Sequence, residues 1–179
     1  YFAFRPDGND RVLVGDGRSL LERETGPWDA ILLDAYFSDS VPFHLTTREF
    51  FRLCRDRLSP DGVFAANVVG MLMGKDERLF WAMVRSAQEV FPNVAILSRE
   101  LADGGRSFRG NAILVASPSS DRLSRERVVA GGERLAVRLS HPPVAAWART
   151  FYAGELRTAD APVLTDSYSP TDALQHLGK

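Results

Sequence analysis

Cysteine is nearly absent from the sequence. Cys54 is the single one among 179 residues, so no disulfide can form within the chain. That excludes a disulfide framework and fits a reducing compartment. Cys54 sits among Phe50, Phe51, Leu53 and Leu58 on an expected helix with no His close in sequence to activate it, so it reads as a small core residue. Long apolar runs are missing too; Val63–Val69 falls far short of the roughly 20 residues a membrane helix needs. No signal-peptide pattern opens the chain, and Tyr1-Phe2-Ala3-Phe4 carries no Met, as if cut from something longer. An excess of one charge is also lacking: 22 Lys and Arg stand against 23 Asp and Glu. Nothing in that balance directs the chain to nucleic acid or an anionic membrane. The basic residues Arg122, Arg125, Arg127, Arg134 and Arg138 are interrupted by Glu126 and Glu133, which reads as a solvated helix face. The three His residues are dispersed and no Cys/His spacing resembles a zinc motif, so no metal is expected.

What is present is a chain long enough for a single sizeable core, with 45% hydrophobic residues. Arg11-Val12-Leu13-Val14-Gly15 reads as a strand, closed by Asp16-Gly17 and followed by a brief helix over Arg18–Arg23. Trp28–Asp34 is the clearest strand, apolar on both faces as a buried parallel strand should be, and ending on a carboxylate. Thr46 or Thr47 then caps a helix to Leu58, with Glu49 placed for a capping interaction. Ser59-Pro60-Asp61-Gly62 reads as a turn and Val63–Val69 as the next strand. A helix is expected over Lys75–Val90, where Leu79, Phe80, Met83, Val84, Ala87 and Val90 recur at helical spacing. Val94–Leu97 and Asn111–Ala116 are expected as an antiparallel strand pair at the sheet edge, separated by a turn region at Asp103-Gly104-Gly105. Beyond Pro118 the chain turns helical and polar, interrupted at Pro142-Pro143. The succession implies an α/β fold: a Rossmann-like, mostly parallel sheet with helices on both faces and a terminal antiparallel pair. The chain divides into core residues 1–117 and a helical extension with a tail over 118–179.

Ligands of such sheets lie beyond the carboxyl ends of the strands, which directs attention to Asp16 and Asp34. Asp16 can accept a hydrogen bond from an exocyclic amine such as that of adenine, with Gly17 letting the backbone approach; it can equally serve as a helix N-cap. Asp34 must reach the sheet rim, since burying it unpaired would cost several kcal/mol. There it can take a proton from an amine or hold a cationic centre, or simply cap the following loop. Tyr36, Phe37, Phe43 and His44 follow it, either lining a slot for an alkyl amine or sulfonium or packing the loop down. His44 as a general base lacks any partner that the sequence can name.

Four stretches taken in order resemble the spermidine synthase family: Gly15-Asp16-Gly17-Arg18, Trp28 to Asp34, Leu45-Thr46-Thr47-Arg48-Glu49-Phe50-Phe51, and Leu58-Ser59-Pro60-Asp61-Gly62-Val63. That family is a branch of the class I methyltransferase-like fold. The closest likeness is to bacterial spermidine-synthase-like proteins, many fused to membrane segments, through Pro42–Thr47 and Leu164-Thr165-Asp166-Ser167-Tyr168. The similarity runs over about 1–117 and the tail at 162–172. It implies a transferase moving an aminopropyl group from decarboxylated S-adenosylmethionine to a small amine in polyamine biosynthesis. Asp16 and Gly17 would contact the adenine, Asp34 would be the base for the attacking amine, and Tyr36 and Asn67 would meet the substrate. Asn67 falls near the family's glutamine and is shorter; Phe37 replaces a second aspartate, which argues against putrescine itself and for another amine. The rival expectations are an S-adenosylmethionine-dependent methyltransferase and a non-catalytic regulatory domain.

The resemblance further implies a cytoplasmic setting, as a soluble protein or the cytoplasmic domain of a membrane-fused one, and homo-oligomers. The family's first strand, its glycine-rich loop and its acidic ribose ligand have no counterpart among these residues. They would lie between the strands at 11–15 and 28–34, so the segment alone is expected to leave a gap in its sheet. As an isolated piece it is expected to bind the nucleoside poorly unless another copy or further residues complete the sheet.

Overall fold

The computed structural model describes residues 7–36, 41–72, 77–102, 104 and 109–168. Expectations for Tyr1-Phe2-Ala3-Phe4, Phe37, Lys75, Asp103, Gly105 and the tail after Tyr168 lie outside that set. In chain order the elements are α1 (Gly17–Arg23), β1 (Trp28–Leu33), a single 3-10 turn (Phe43–Leu45), α2 (Arg48–Arg57), β2 (Leu58–Met71), α3 (Arg78–Gln88), β3 (Asn93–Leu97), α4 (Arg99–Ala102), β4 (Arg109–Ser117), α5 (Arg125–Arg138) and α6 (Pro143–Ala148). Four strands form one sheet in the order β1-β2-β4-β3. The β1–β2 ladder is parallel, while β4 runs antiparallel to both β2 and β3. The α/β character and the terminal antiparallel pair are as expected. The parallel share among the described strands is one ladder of three, smaller than the reading of a mostly parallel sheet.

The central pairing decides where the core lies. Phe64, Ala66 and Val68 of β2 sit opposite Ala116, Leu114 and Ala112 of β4, and all six are buried on one face. Side chains alternate across a strand, so the intervening Ala65, Asn67 and Val69 face the other way and are only partly covered. The core is built around Phe64, whose ring meets Phe51 edge-on at 5.5 Å and stacks on Phe91 at 6.2 Å. Such pairs add stabilisation beyond the area they bury. α2 supplies Phe50, Phe51 and Cys54 from one stripe, and α3 is buried along most of its length. Cys54 is fully buried, and loss of hydration pushes its thiol up to about 12. It is a packing residue.

Two expectations shift in detail. Ser59-Pro60-Asp61-Gly62 is a bulge inside β2 rather than a turn before it: Trp28 pairs with Leu58 but Ala30 with Val63. A bulge lets the polar turn residues stay in the strand while the register recovers beyond them. The larger correction is at Arg11–Gly15, which forms no strand. Val12 and Val14 are 61% and 97% exposed, and no described residue pairs with this segment. An apolar run becomes a strand only where a neighbour takes up its backbone groups, and among the described residues none does.

Close approach requires glycine at two places. Gly26 takes φ 59° with the Arg57 carbonyl 2.6 Å from where a Cβ would stand. Gly132 lets α6 cross α5, since a Cβ there would be 2.3 Å from that of Ala148. Ser124 caps α5, on which only Ala136 is buried, in keeping with the solvated face read from its charges. No helix among the described residues is long and apolar enough to cross a membrane.

Candidate functional site

Asp34 directly follows β1, one step beyond the Leu33–Ala66 pair, and is exposed at the strand tip. Asn67, the next residue on β2, donates from Nδ2 to Asp34 Oδ1 at 3.0 Å. The Tyr36 hydroxyl donates to the Asn67 carbonyl at 2.5 Å, which folds the start of the loop back over β2. Burial pushes the Tyr36 phenol up, the charge of Asp34 adds to that, and the Val69 backbone works the other way. From β4, Asn111 Nδ2 reaches Asn67 Oδ1 at a long 3.4 Å. The sheet thus gathers Asp34, Tyr36 and Asn67, three residues singled out from the sequence, and adds Asn111. The signal for Asn111 is only its register opposite Val69, which the sequence does not display.

Asp16 and Gly17 lie elsewhere, at the start of α1. Asp16 Oδ1 accepts the Ser19 amide at 2.8 Å, so it is an N-cap as the plainer reading had it. Its Oδ2 meets His44 Nε2 at 2.9 Å. The Ser19 hydrogen bonds, with His44 assisting, hold the Asp16 carboxyl below the ordinary aspartate value. His44 therefore has a partner, 28 positions away, that sequence reasoning could not name. A Cβ added at Gly17 would meet nothing within 4 Å, so no protein contact requires a glycine there. Asp16 and Asp34 have no common hydrogen-bond partner among the described residues. The two described cavities, each about 430 Å³, lie between α5, α6 and Leu97 and beside Phe91–Ile96 and Tyr152; neither is lined by Asp16 or Asp34.

Around Asp16 three of the stretches that carried the resemblance, those at 15–18, 42–51 and 164–168, close into a knot. Arg18 holds Asp166 with a two-pronged contact, Nη1 to Oδ1 at 2.7 Å and Nη2 to Oδ2 at 2.6 Å. Thr47 caps α2 by accepting the Phe50 amide and donates its hydroxyl to Asp166 at 2.7 Å. Because the cap is Thr47 and not Thr46, Glu49 is too early in the helix to close a capping box. It accepts the Asp166 amide at 3.0 Å instead. Arg18 holds the Asp166 carboxyl below its ordinary value, with Thr47 assisting against partial burial. For Glu49, partial burial works upward and is outweighed by hydrogen bonds from its own backbone, Arg48 and Asp166. Leu164 anchors the tail: fully buried, it donates its amide to Ser86 Oγ at 2.8 Å and accepts from the Arg48 amide at 2.8 Å.

No protein-family model matches the chain. A polyamine aminopropyltransferase of Vibrio vulnificus is 29% identical over 180 residues, which cover 98% of this chain and 56% of that protein. A probable spermidine synthase from Corynebacterium glutamicum superposes with a TM-score of 0.62 at 25% identity, covering 86% of this chain and 53% of that one. The chain is similar to both over most of its own length. It spans about half the length of these two proteins. Human methyltransferase-like protein 13, solved in complex with SAH, shares the fold at a TM-score of 0.55 and 17% identity, over 89% of this chain and 68% of that one. The chain therefore has a methyltransferase-type architecture.

Proposed function

We propose that the protein, at its natural full length, transfers an aminopropyl group from decarboxylated S-adenosylmethionine to a small amine. The observation that supports this most is the cluster at the tip of β1: an exposed carboxylate, Asp34, held by Asn67. It stands in a chain similar over nearly its whole length to a polyamine aminopropyltransferase. The donor set suits the chemistry. An amine must be neutral to attack, and it gains positive charge as it does so.

In the displacement, the amine nitrogen forms a bond to the carbon beside the sulfonium while that C–S bond breaks. The electron pair stays on sulfur, which leaves as the neutral thioether methylthioadenosine. The nitrogen becomes cationic and gives a proton to the Asp34 carboxylate, and from there to water. Asn67 fixes one oxygen of Asp34, so the other, which has no partner among the described residues, can face the amine. Most of the rate would come from holding the two reactants in line. Tyr36, pinned to the Asn67 carbonyl, forms a wall beside the carboxylate. Asp16 would receive the adenine amine. Both its oxygens already accept one hydrogen bond, and each has a further lone pair to offer. A cytoplasmic setting agrees with the single buried thiol.

Incubating the full-length protein with decarboxylated S-adenosylmethionine and a panel of amines, followed by mass spectrometry, tests this. An aminopropylated product that disappears with Asp34→Asn is the expected result. Absence of product with every amine, or turnover of S-adenosylmethionine alone to a methylated product, would replace the reading with methyl transfer or a non-catalytic role.

A further inference from the structure

We infer that Asp166 positions Asp16 through Arg18 and His44, making the tail at 164–168 part of the nucleoside site. This rests on the reading of Asp16 as the adenine contact. Asp16 is 47% exposed at its side chain, and its cap bond to Ser19 fixes only one carboxylate oxygen. The second is fixed by His44 Nε2. What fixes His44 is Arg18, whose Nη1 donates to the His44 carbonyl at 3.0 Å within the 3-10 turn. That same Nη1 donates to Asp166 Oδ1, and Nη2 to Oδ2, so the guanidinium plane is set by the tail. Asp166 in turn is held by the Thr47 hydroxyl and, through its amide, by Glu49. The line runs without a break from buried Leu164, through Asp166, Arg18 and His44, to the carboxylate that faces solvent. A fork suits its centre, because Arg18 meets the two aspartate oxygens from two coplanar nitrogens and a carbonyl besides, a geometry the single nitrogen of lysine does not match.

The test uses the full-length protein, with methylthioadenosine titrated by calorimetry and thermal unfolding measured alongside. Asp166→Asn, Arg18→Lys and His44→Ala should each weaken binding about tenfold. The Asp166→Asn/His44→Ala double variant should be no weaker than the worse single one beyond about twofold, because both cut the same link. KM for the nucleoside substrate should rise while kcat holds within about threefold. Arg149→Ala, which breaks an exposed pair with Glu133, should leave affinity alone.

A second readout needs no nucleoside. The His44 ring ¹⁵N–¹H correlation of the full-length protein should move in Asp166→Asn as the contact to Asp16 loosens. If Asp166→Asn lowers the melting temperature but leaves affinity intact, the tail is only a clasp and the inference is overturned. If the wild-type protein binds no nucleoside, the proposed function fails. The His44 resonance then decides alone, and an unmoved signal in Asp166→Asn overturns the positioning role.

Discussion

The two faces of the sheet, made by the same strands, meet different surroundings. On one, Phe64 and Leu114 are fully buried under α2 and α3; on the other, Leu32 of β1, which pairs with Ala65, is 77% exposed. The polar cluster of Asn67 and Asn111, with Asp34 at its end, belongs to the second face. Apolar alternation thus marks which residues hold the fold, while the less covered face is where polar side chains reach one another and solvent. Stability resides on the first face and the candidate chemistry on the second.

The largest effect should come from breaking the buried face. Phe64→Ala should cost about 3–5 kcal/mol in denaturant unfolding, whereas Leu32→Ala should stay within about 0.5 kcal/mol. Equal losses at the two positions would erase the contrast. On the open face the expectation reverses: Asp34→Asn should lower kcat by about 10²–10⁴-fold in the full-length protein with an unchanged unfolding midpoint. A shifted midpoint with intact turnover would make Asp34 structural. Thr47→Ala removes both a helix cap and a hydroxyl from Asp166, and should lose about 1–2 kcal/mol by chemical denaturation. Asn111→Ala, with one long contact among the described residues, should lose less than about 0.5 kcal/mol in the same measurement.

Acid provides a milder test. Arg18 and Thr47 depress the Asp166 carboxyl, and the Ser19 and His44 hydrogen bonds depress that of Asp16. Folded values below the unfolded one, about 3.9, mean the unfolded chain binds more protons in that range. The stabilisation is therefore complete above about pH 4 and fades as pH falls through the folded values. Circular dichroism at stepped pH should show a decline in stability that begins near pH 4 and is shallower in Asp166→Asn.

Much of the fold was legible. The Trp28–Asp34 strand, the two-helix interleaving and the antiparallel pair follow from period, breakers and caps, because each signal is local. Arg11–Gly15 misled for the same reason. Its composition suits a strand, but a strand is completed by a partner that local pattern does not contain. At the site, Asp34 was legible as a charge ending an apolar run, and Asn67 came from the resemblance. His44 with Asp16, Glu49 with the Asp166 amide, and Asn111 were not, since their partners are 28 to 117 positions away.

By itself the sequence determined most helices and the strands from Trp28 onward, that the lone thiol is buried packing, and that Asp34 ends an apolar strand. Only the tertiary structure decided that Asp16 is already engaged while Asp34 has a single partner among the described residues, and that the tail at Asp166 closes onto Arg18. Periodicity and capping act over a few residues, whereas hydrogen-bond partners are assigned by which elements pack together, and that is set by burial of the whole chain.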